Sequence, residues 1–199
     1  MPTILSLNGS PIKHSSTEIL LNHIVEGISA KASEPVTHHA VRLNDYAIMP
    51  CQSCGVSPEP DYCLYHDDLY PVYDLLINCD VVLFGSPIYF DTVSAQSKLF
   101  IDRCNCLRPP DFAETSGHHF KRIIEKKRCG GIVLVGGPRQ KYECARTVIA
   151  GFFKWINVEN VGNVIFAGSG WEAGAVRNDR NSLDTARQLG LNLAIHIRD

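Results

Sequence analysis

Short apolar runs and stretches of helical spacing take turns along this chain, and that alternation restricts the fold more than any other feature. The runs are Thr3–Leu7, Ala40–Leu43, Val81–Phe84, Ile132–Val135 and Val161–Ala167. Each is rich in Val, Ile, Leu or Phe and bounded by Gly, Pro, Asn or Asp, as a buried strand is. Between them, apolar residues recur every three or four positions. Leu20, Ile24 and Ile28 follow the capping candidates Ser15-Ser16-Thr17, and Leu69, Val72, Tyr73 and Leu76 follow Asp67-Asp68. Val148, Phe152, Trp155 and Ile156 make another such set, as do Leu183, Ala186, Gly190, Leu193 and Ile197. Ser94–Arg103 reads as a further helix, and Phe120–Arg128 as a short basic one. Strict alternation with buried strands predicts a parallel sheet with helices on both faces. Right-handed crossovers leave few topologies, and five strands favour the order 2-1-3-4-5. That order puts Ala40–Leu43 at an edge, in keeping with its Arg42 and the His38-His39 pair before it.

The chain has 199 residues, 45% hydrophobic and 20% charged, so residues 1–199 are read as a single domain. Nineteen basic side chains against 21 acidic ones leave a net charge of −2. That balance carries no electrostatic footprint for nucleic acid or an anionic membrane. No apolar run approaches the roughly 18 residues a membrane span needs. Met1–Gly9 lacks a basic n-region, so a cytoplasmic location is expected. In a reducing compartment eight cysteines point to thiols, a metal or a cluster rather than to disulfides.

In a doubly wound sheet ligands bind past the carboxyl ends of the strands. After the first run comes Asn8-Gly9-Ser10-Pro11-Ile12-Lys13-His14-Ser15-Ser16-Thr17, with a tight-turn Gly, several hydroxyls and a helix N-terminus. Such a loop can hold a phosphate through backbone N–H groups, hydroxyls and the helix dipole. It is neither the G-x-G-x-x-G dinucleotide pattern nor a P-loop. After the third run comes Gly85-Ser86-Pro87-Ile88-Tyr89-Phe90-Asp91-Thr92-Val93-Ser94, and after the fourth Gly136-Gly137-Pro138-Arg139-Gln140. The two aromatics of the third-run loop could flank a flat ring. Each loop alone is an ordinary strand-end turn. Three at neighbouring strand ends describe one site with a phosphate end and a planar-ring end.

Asn8-Gly9-Ser10-Pro11 with Ser16-Thr17, Gly85–Phe90 with Ser94–Lys98, Phe100-Ile101-Asp102-Arg103 and Gly136-Gly137 together resemble the NADPH-dependent FMN reductase family. This is a flavodoxin-like group that includes the iron-sulfur flavoproteins. The resemblance implies a flavodoxin-like three-layer α/β sandwich with a five-stranded parallel sheet of order 2-1-3-4-5. It implies FMN as cofactor, with Ser10, Ser16 and Thr17 at the phosphate, Pro87, Ile88, Tyr89 and Phe90 along the ring, and Gly136, Gly137 and Arg139 at its pyrimidine side. Relatives often carry Arg where this chain has Ile12, which leaves Lys13 as the nearest cation. The implied activity is an NAD(P)H-dependent FMN reductase: NADPH or NADH gives electrons through bound FMN to a flavin, quinone or other small acceptor. No catalytic side chain is required for hydride transfer. The competing reading is an electron-transfer protein like an iron-sulfur flavoprotein or a flavodoxin. Neither reading involves a membrane or nucleic acid, and family habit implies a homodimer or homotetramer.

The cysteines divide. Cys51, Cys54 and Cys63 lie in the long segment Tyr46–His66, where iron-sulfur flavoproteins carry four cluster-ligating cysteines. Ser57 stands at the third of those positions, and serine is a poor ligand for a soft iron site. The loop therefore reads as lacking a cluster, as holding one with a ligand from elsewhere, or as a zinc site completed by His66. Cys79, Cys104, Cys106, Cys129 and Cys144 read as bystanders. Trp171, after Gly168-Ser169-Gly170, reads as a subunit contact.

Overall fold

The computed structural model describes residues 1–55, 61–109, 122–168 and 172–197. Five principal strands, β1 (Thr3–Asn8), β2 (Thr37–Arg42), β3 (Val81–Tyr89), β4 (Arg128–Gly136) and β5 (Val158–Ala167), pair in parallel in the order β2-β1-β3-β4-β5. Five helices accompany them: α1 (Ser16–Lys31), α2 (Tyr70–Asn78), α3 (Ala95–Arg103), α4 (Glu143–Trp155) and α5 (Arg180–His196). The expected flavodoxin-like three-layer sandwich is present, with β2 at the edge.

Each sheet face has its own core. Leu20, Leu21, Ile24 and Ile28 of α1 and Ala186, Leu189 and Leu193 of α5 cover Ile4, Leu83, Val133 and Val164. On the other face Val72, Tyr73 and Leu76 of α2, Phe100 of α3 and Phe152 of α4 cover Leu7, Phe84, Ile132 and Leu134. Helices α1 and α5 meet at Gly27 and Gly190. A Cβ on Gly27 would collide with the Arg187 carbonyl, and one on Gly190 with that of Ile24.

The strands run longer than their apolar runs. β2 begins at Thr37 and takes in His38 and His39, while Leu43 starts a short 3-10 turn, Leu43–Asp45. His38 is half-buried, shares a 2.8 Å hydrogen bond with Ser6 Oγ, and titrates below its usual range through burial and the neighbouring His39. β3 continues through Pro87 to Tyr89. The Gly9 N–H bonds the Gly85 carbonyl at 2.8 Å, so Pro87, two residues on, turns its missing N–H toward the side where β1 has already ended.

Two further readings change. Arg122–Ile123 is a short strand pairing with Leu107–Arg108, and Glu125–Lys127 is not helical, so Phe120–Arg128 is not a helix within the described residues. Asp68 does not cap α2, and Asp67 caps only the turn that leads into it, accepting from Leu69 N at 3.2 Å. Asp68 accepts from Ala47 N (2.8 Å) and Asp67 from Met49 N (2.8 Å), so both clamp the segment before the cysteines. α2 starts instead with Pro71 in its first turn.

Candidate functional site

The loop after β1 is built by local chemistry. Asn8 Oδ1 accepts from Ser10 N at 2.9 Å, and Ser10 Oγ accepts from Ile12 N at 3.3 Å. Ser15 caps α1 by accepting from Glu18 N at 3.2 Å. Ser10, Ser16 and Thr17 are brought together here, all buried. Ser16 Oγ accepts from Val176 N at 3.2 Å, which ties the helix start to the turn Ala175–Asn178. Thr17 Oγ1 is buried with no hydrogen-bond partner. A hydroxyl left that way costs about 1–3 kcal/mol, so this one is an open donor at a helix N-terminus.

Three buried serines, Ser86, Ser94 and Ser97, lock this loop to the end of β3 and the start of α3. Ser94 Oγ donates to the Gly9 carbonyl (2.8 Å) and accepts from Ser97 N (3.2 Å). Ser86 Oγ accepts from Ser94 N (3.0 Å) and from Ser97 Oγ (3.1 Å), and donates to the Pro87 carbonyl (2.8 Å). Gly9 is required, because a Cβ would strike Ser97 Oγ. The sequence motif contains these serines, but only the fold shows that they join two loops far apart in the chain.

Beyond β3, Tyr89 pairs with Thr92 across a two-residue turn, and both turn residues have positive φ: Phe90 at 51° and Asp91 at 61°. That turn suits the strand twist but strains a bulky residue. Asp91 Oδ1 fixes it by accepting from Lys141 N at 2.8 Å. Phe90 is thereby held 99% exposed at the rim, with Tyr89 exposed beside it. Pro87 and Ile88, read in the sequence as loop, are buried residues of β3, so it is their backbone that runs along this end of the strand. The Ile88 carbonyl accepts from Gln140 Nε2 at 2.8 Å, and Gln140 Oε1 accepts from Gly137 N at 2.6 Å. Gln140, missed in the sequence, thus bridges the β3 and β4 loops. Gly136 has no room for a Cβ beside Gln140 and Ile88. Arg139 is exposed on the turn.

The cysteine segment is organised by a buried arginine. Arg103, at the end of α3, pairs with Asp67 and donates to the carbonyls of Met49 (2.6 Å) and Tyr65 (3.3 Å). Its Nη2 also lies 3.5 Å from Cys63 Sγ. Burial opposes charge on Asp67, but the hydrogen bonds from Arg103 and Met49 N and the guanidinium charge outweigh it and hold the carboxyl below its usual range. Cys51 is half-buried, Cys54 exposed and Cys63 buried.

A family model of NADPH-dependent FMN reductases matches residues 2–172. The chain belongs to that family. An iron-sulfur flavoprotein of Methanocaldococcus jannaschii is 29% identical, the match covering 96% of this chain and 95% of that protein. A Bacillus subtilis protein carrying the name of an NAD(P)H-dependent FMN-containing oxidoreductase is 25% identical over 94% of this chain and 95% of its own length. Among solved structures, a flavone reductase superposes with a TM-score of 0.71 at 16% identity. The match takes in 99% of this chain but 63% of the reductase, so it speaks for the fold alone.

The residues of this FMN reductase family member fit the flavin the family name implies. The unpartnered Thr17 hydroxyl and the first-turn N–H groups of α1 suit a phosphate, and Tyr89 and Phe90 present exposed aromatic side chains that suit a flat ring. The donor set for a four-iron cluster does not fit in the same way. Three cysteines lie in the segment where four thiolates are normal. Ser57 lies outside the described residues, as does Trp171. His66 pairs with Asp61 (3.3 Å) and stacks on Tyr70 (ring centroids 4.3 Å apart). Among the described residues, no group of three His, Cys, Asp or Glu side chains is placed to hold a metal ion. No described helix is long and apolar enough to cross a membrane.

Proposed function

We propose that this protein is an FMN-dependent NAD(P)H oxidoreductase that passes electrons from a nicotinamide cofactor to a flavin, quinone or other small acceptor. The observation that carries the reading is the buried, unpartnered Thr17 hydroxyl at the start of α1, in a loop locked to the β3 end by Ser86, Ser94 and Ser97. Bound FMN would supply the redox chemistry; the protein supplies binding, orientation and access. Ser10, Ser16 and Thr17, with the first-turn N–H groups of α1, would hold the phosphate. The Pro87–Phe90 backbone and the Tyr89 and Phe90 side chains would border the ring, and Gly136, Gly137 and Arg139 its polar edge. The exposed face beside Tyr89 and Phe90 admits a flat substrate, so donor and acceptor would use it in turn and give ping-pong kinetics.

Two features favour this over an electron shuttle. The net charge is close to balanced at −2, unlike that of a strongly acidic shuttle. The cysteine segment offers fewer thiolates than a four-iron cluster uses. Stopped-flow mixing of flavin-loaded protein with NADPH under anaerobic conditions tests the reading: rapid bleaching of the flavin absorbance supports it, and an unbleached flavin contradicts it.

A further inference from the structure

A flavin phosphate is close to a dianion, yet the loop Asn8–Thr17 carries one lysine and no arginine. Lys13 is exposed, and a flexible exposed ammonium is strongly screened. The fixed charge at this loop comes from another element. Arg42 ends β2, in register with Asn8. Its side chain is 16% exposed. Nε donates to Asp45 Oδ2 at 2.9 Å and Nη2 pairs with Asp45 Oδ1, while Nη1 donates to the Pro11 carbonyl at 3.0 Å. Asp45 therefore holds the far edge of the guanidinium, and the positive end of the pair faces the loop. Nη1 carries a second hydrogen besides the one given to Pro11. A cavity of about 430 Å³, lined by Ser6, Asn8, Lys13, His38 and Arg42 among others, opens beside it.

We propose that Arg42, aimed by Asp45, is the fixed cation of the phosphate loop and sets the preference of the site for FMN over riboflavin. The proposal rests on the reading that this loop binds FMN. Arg42 acts as a positioning residue through the Pro11 carbonyl that it holds, and as a charge through its largely buried guanidinium. Structural damage to the fold would weaken both flavins alike. Loss of a phosphate-directed charge weakens FMN alone.

The test compares FMN and riboflavin binding to the full flavin-stripped chain by quenching of flavin fluorescence. Arg42→Gln keeps a donor and removes the charge; Arg42→Lys keeps the charge; Ile12→Arg in the Arg42→Gln background adds a guanidinium to the loop itself. The expected result is that Arg42→Gln lowers the FMN-to-riboflavin affinity ratio about tenfold, with riboflavin affinity within about twofold of wild type. Arg42→Lys should retain most of the ratio, and Ile12→Arg should restore it. An unchanged ratio in Arg42→Gln, or an equal loss for both flavins, overturns the proposal. If Arg42→Gln does not fold, the Arg42→Lys ratio decides: retained, it supports the charge; lost by tenfold with riboflavin binding intact, it overturns it. Wild-type protein that binds neither flavin overturns the FMN reading itself.

Discussion

Ser94 Oγ donates to the carbonyl of Gly9 across 2.8 Å, although the two residues lie 85 positions apart. That bond fixes the start of α3 against the loop after β1 and makes one rigid cradle out of two strand ends. Ser94→Ala removes the donor and leaves the Gly9 carbonyl buried and unpaired. The expected cost is about 1–3 kcal/mol of stability in urea unfolding, with FMN affinity reduced at least severalfold. A variant of wild-type stability and affinity would show that the link is idle.

Gly9→Ala is a sharper version. The new Cβ meets Ser97 Oγ, which already bonds Ser86 and Ser94. Overpacking of this kind costs about 1–3 kcal/mol. Because the displaced groups shape the cradle, flavin binding should fall more than stability does. Ser97→Gly in the same chain should recover part of the binding, which equilibrium dialysis against FMN would show.

The Arg103–Asp67 pair gives a pH prediction. The folded carboxyl of Asp67 titrates below its unfolded value, so the pair contributes stability above the unfolded pKa, about 3.9. That contribution is lost as pH falls from about 4 through the lower folded value. Asp67→Asn should flatten the acid limb of the stability profile and, by breaking a largely buried pair, cost about 3 kcal/mol at pH 7. Thermal melts from pH 3 to 7 check both statements. An acid limb unchanged by the substitution would place the acid sensitivity elsewhere.

Thiol reactivity should separate the cysteines by environment. Burial pushes Cys106 up to about 11 and Cys129 up to about 12, and Cys79 and Cys104 are raised as well. Thiolates are the reactive form. Brief iodoacetamide treatment at pH 8, read by peptide mass spectrometry, should label Cys54 and Cys144, which are exposed, well before these four. Early labelling of Cys104 would contradict its burial.

The sheet order, the helix set and the first loop were legible because buried parallel strands and amphipathic helices write their periods into the chain. Strand ends were not. The Thr37–Arg42 strand hides behind His38-His39, and Pro87 looks like a loop until β1 is seen to stop short of it. Ile88 lies in the same extension of β3 and is buried there. Asp67 and Asp68 resemble caps locally, and only the tertiary position of Arg103 and Met49 shows what they hold. Gln140 carried no signal, because a glutamine on a turn has many uses and its two partners come from different loops.

The central claim is that FMN held between the α1 start and the Tyr89–Phe90 rim takes electrons from a nicotinamide cofactor. The most direct measurement is an anaerobic titration of FMN-loaded protein with NADPH and with NADH, with iron analysis on the same sample. The account predicts bleaching of the flavin bands at one equivalent of nucleotide per FMN, with iron well below one atom per chain. A protein that takes up FMN yet stays oxidised under excess nucleotide, or that carries stoichiometric cluster iron, would contradict it.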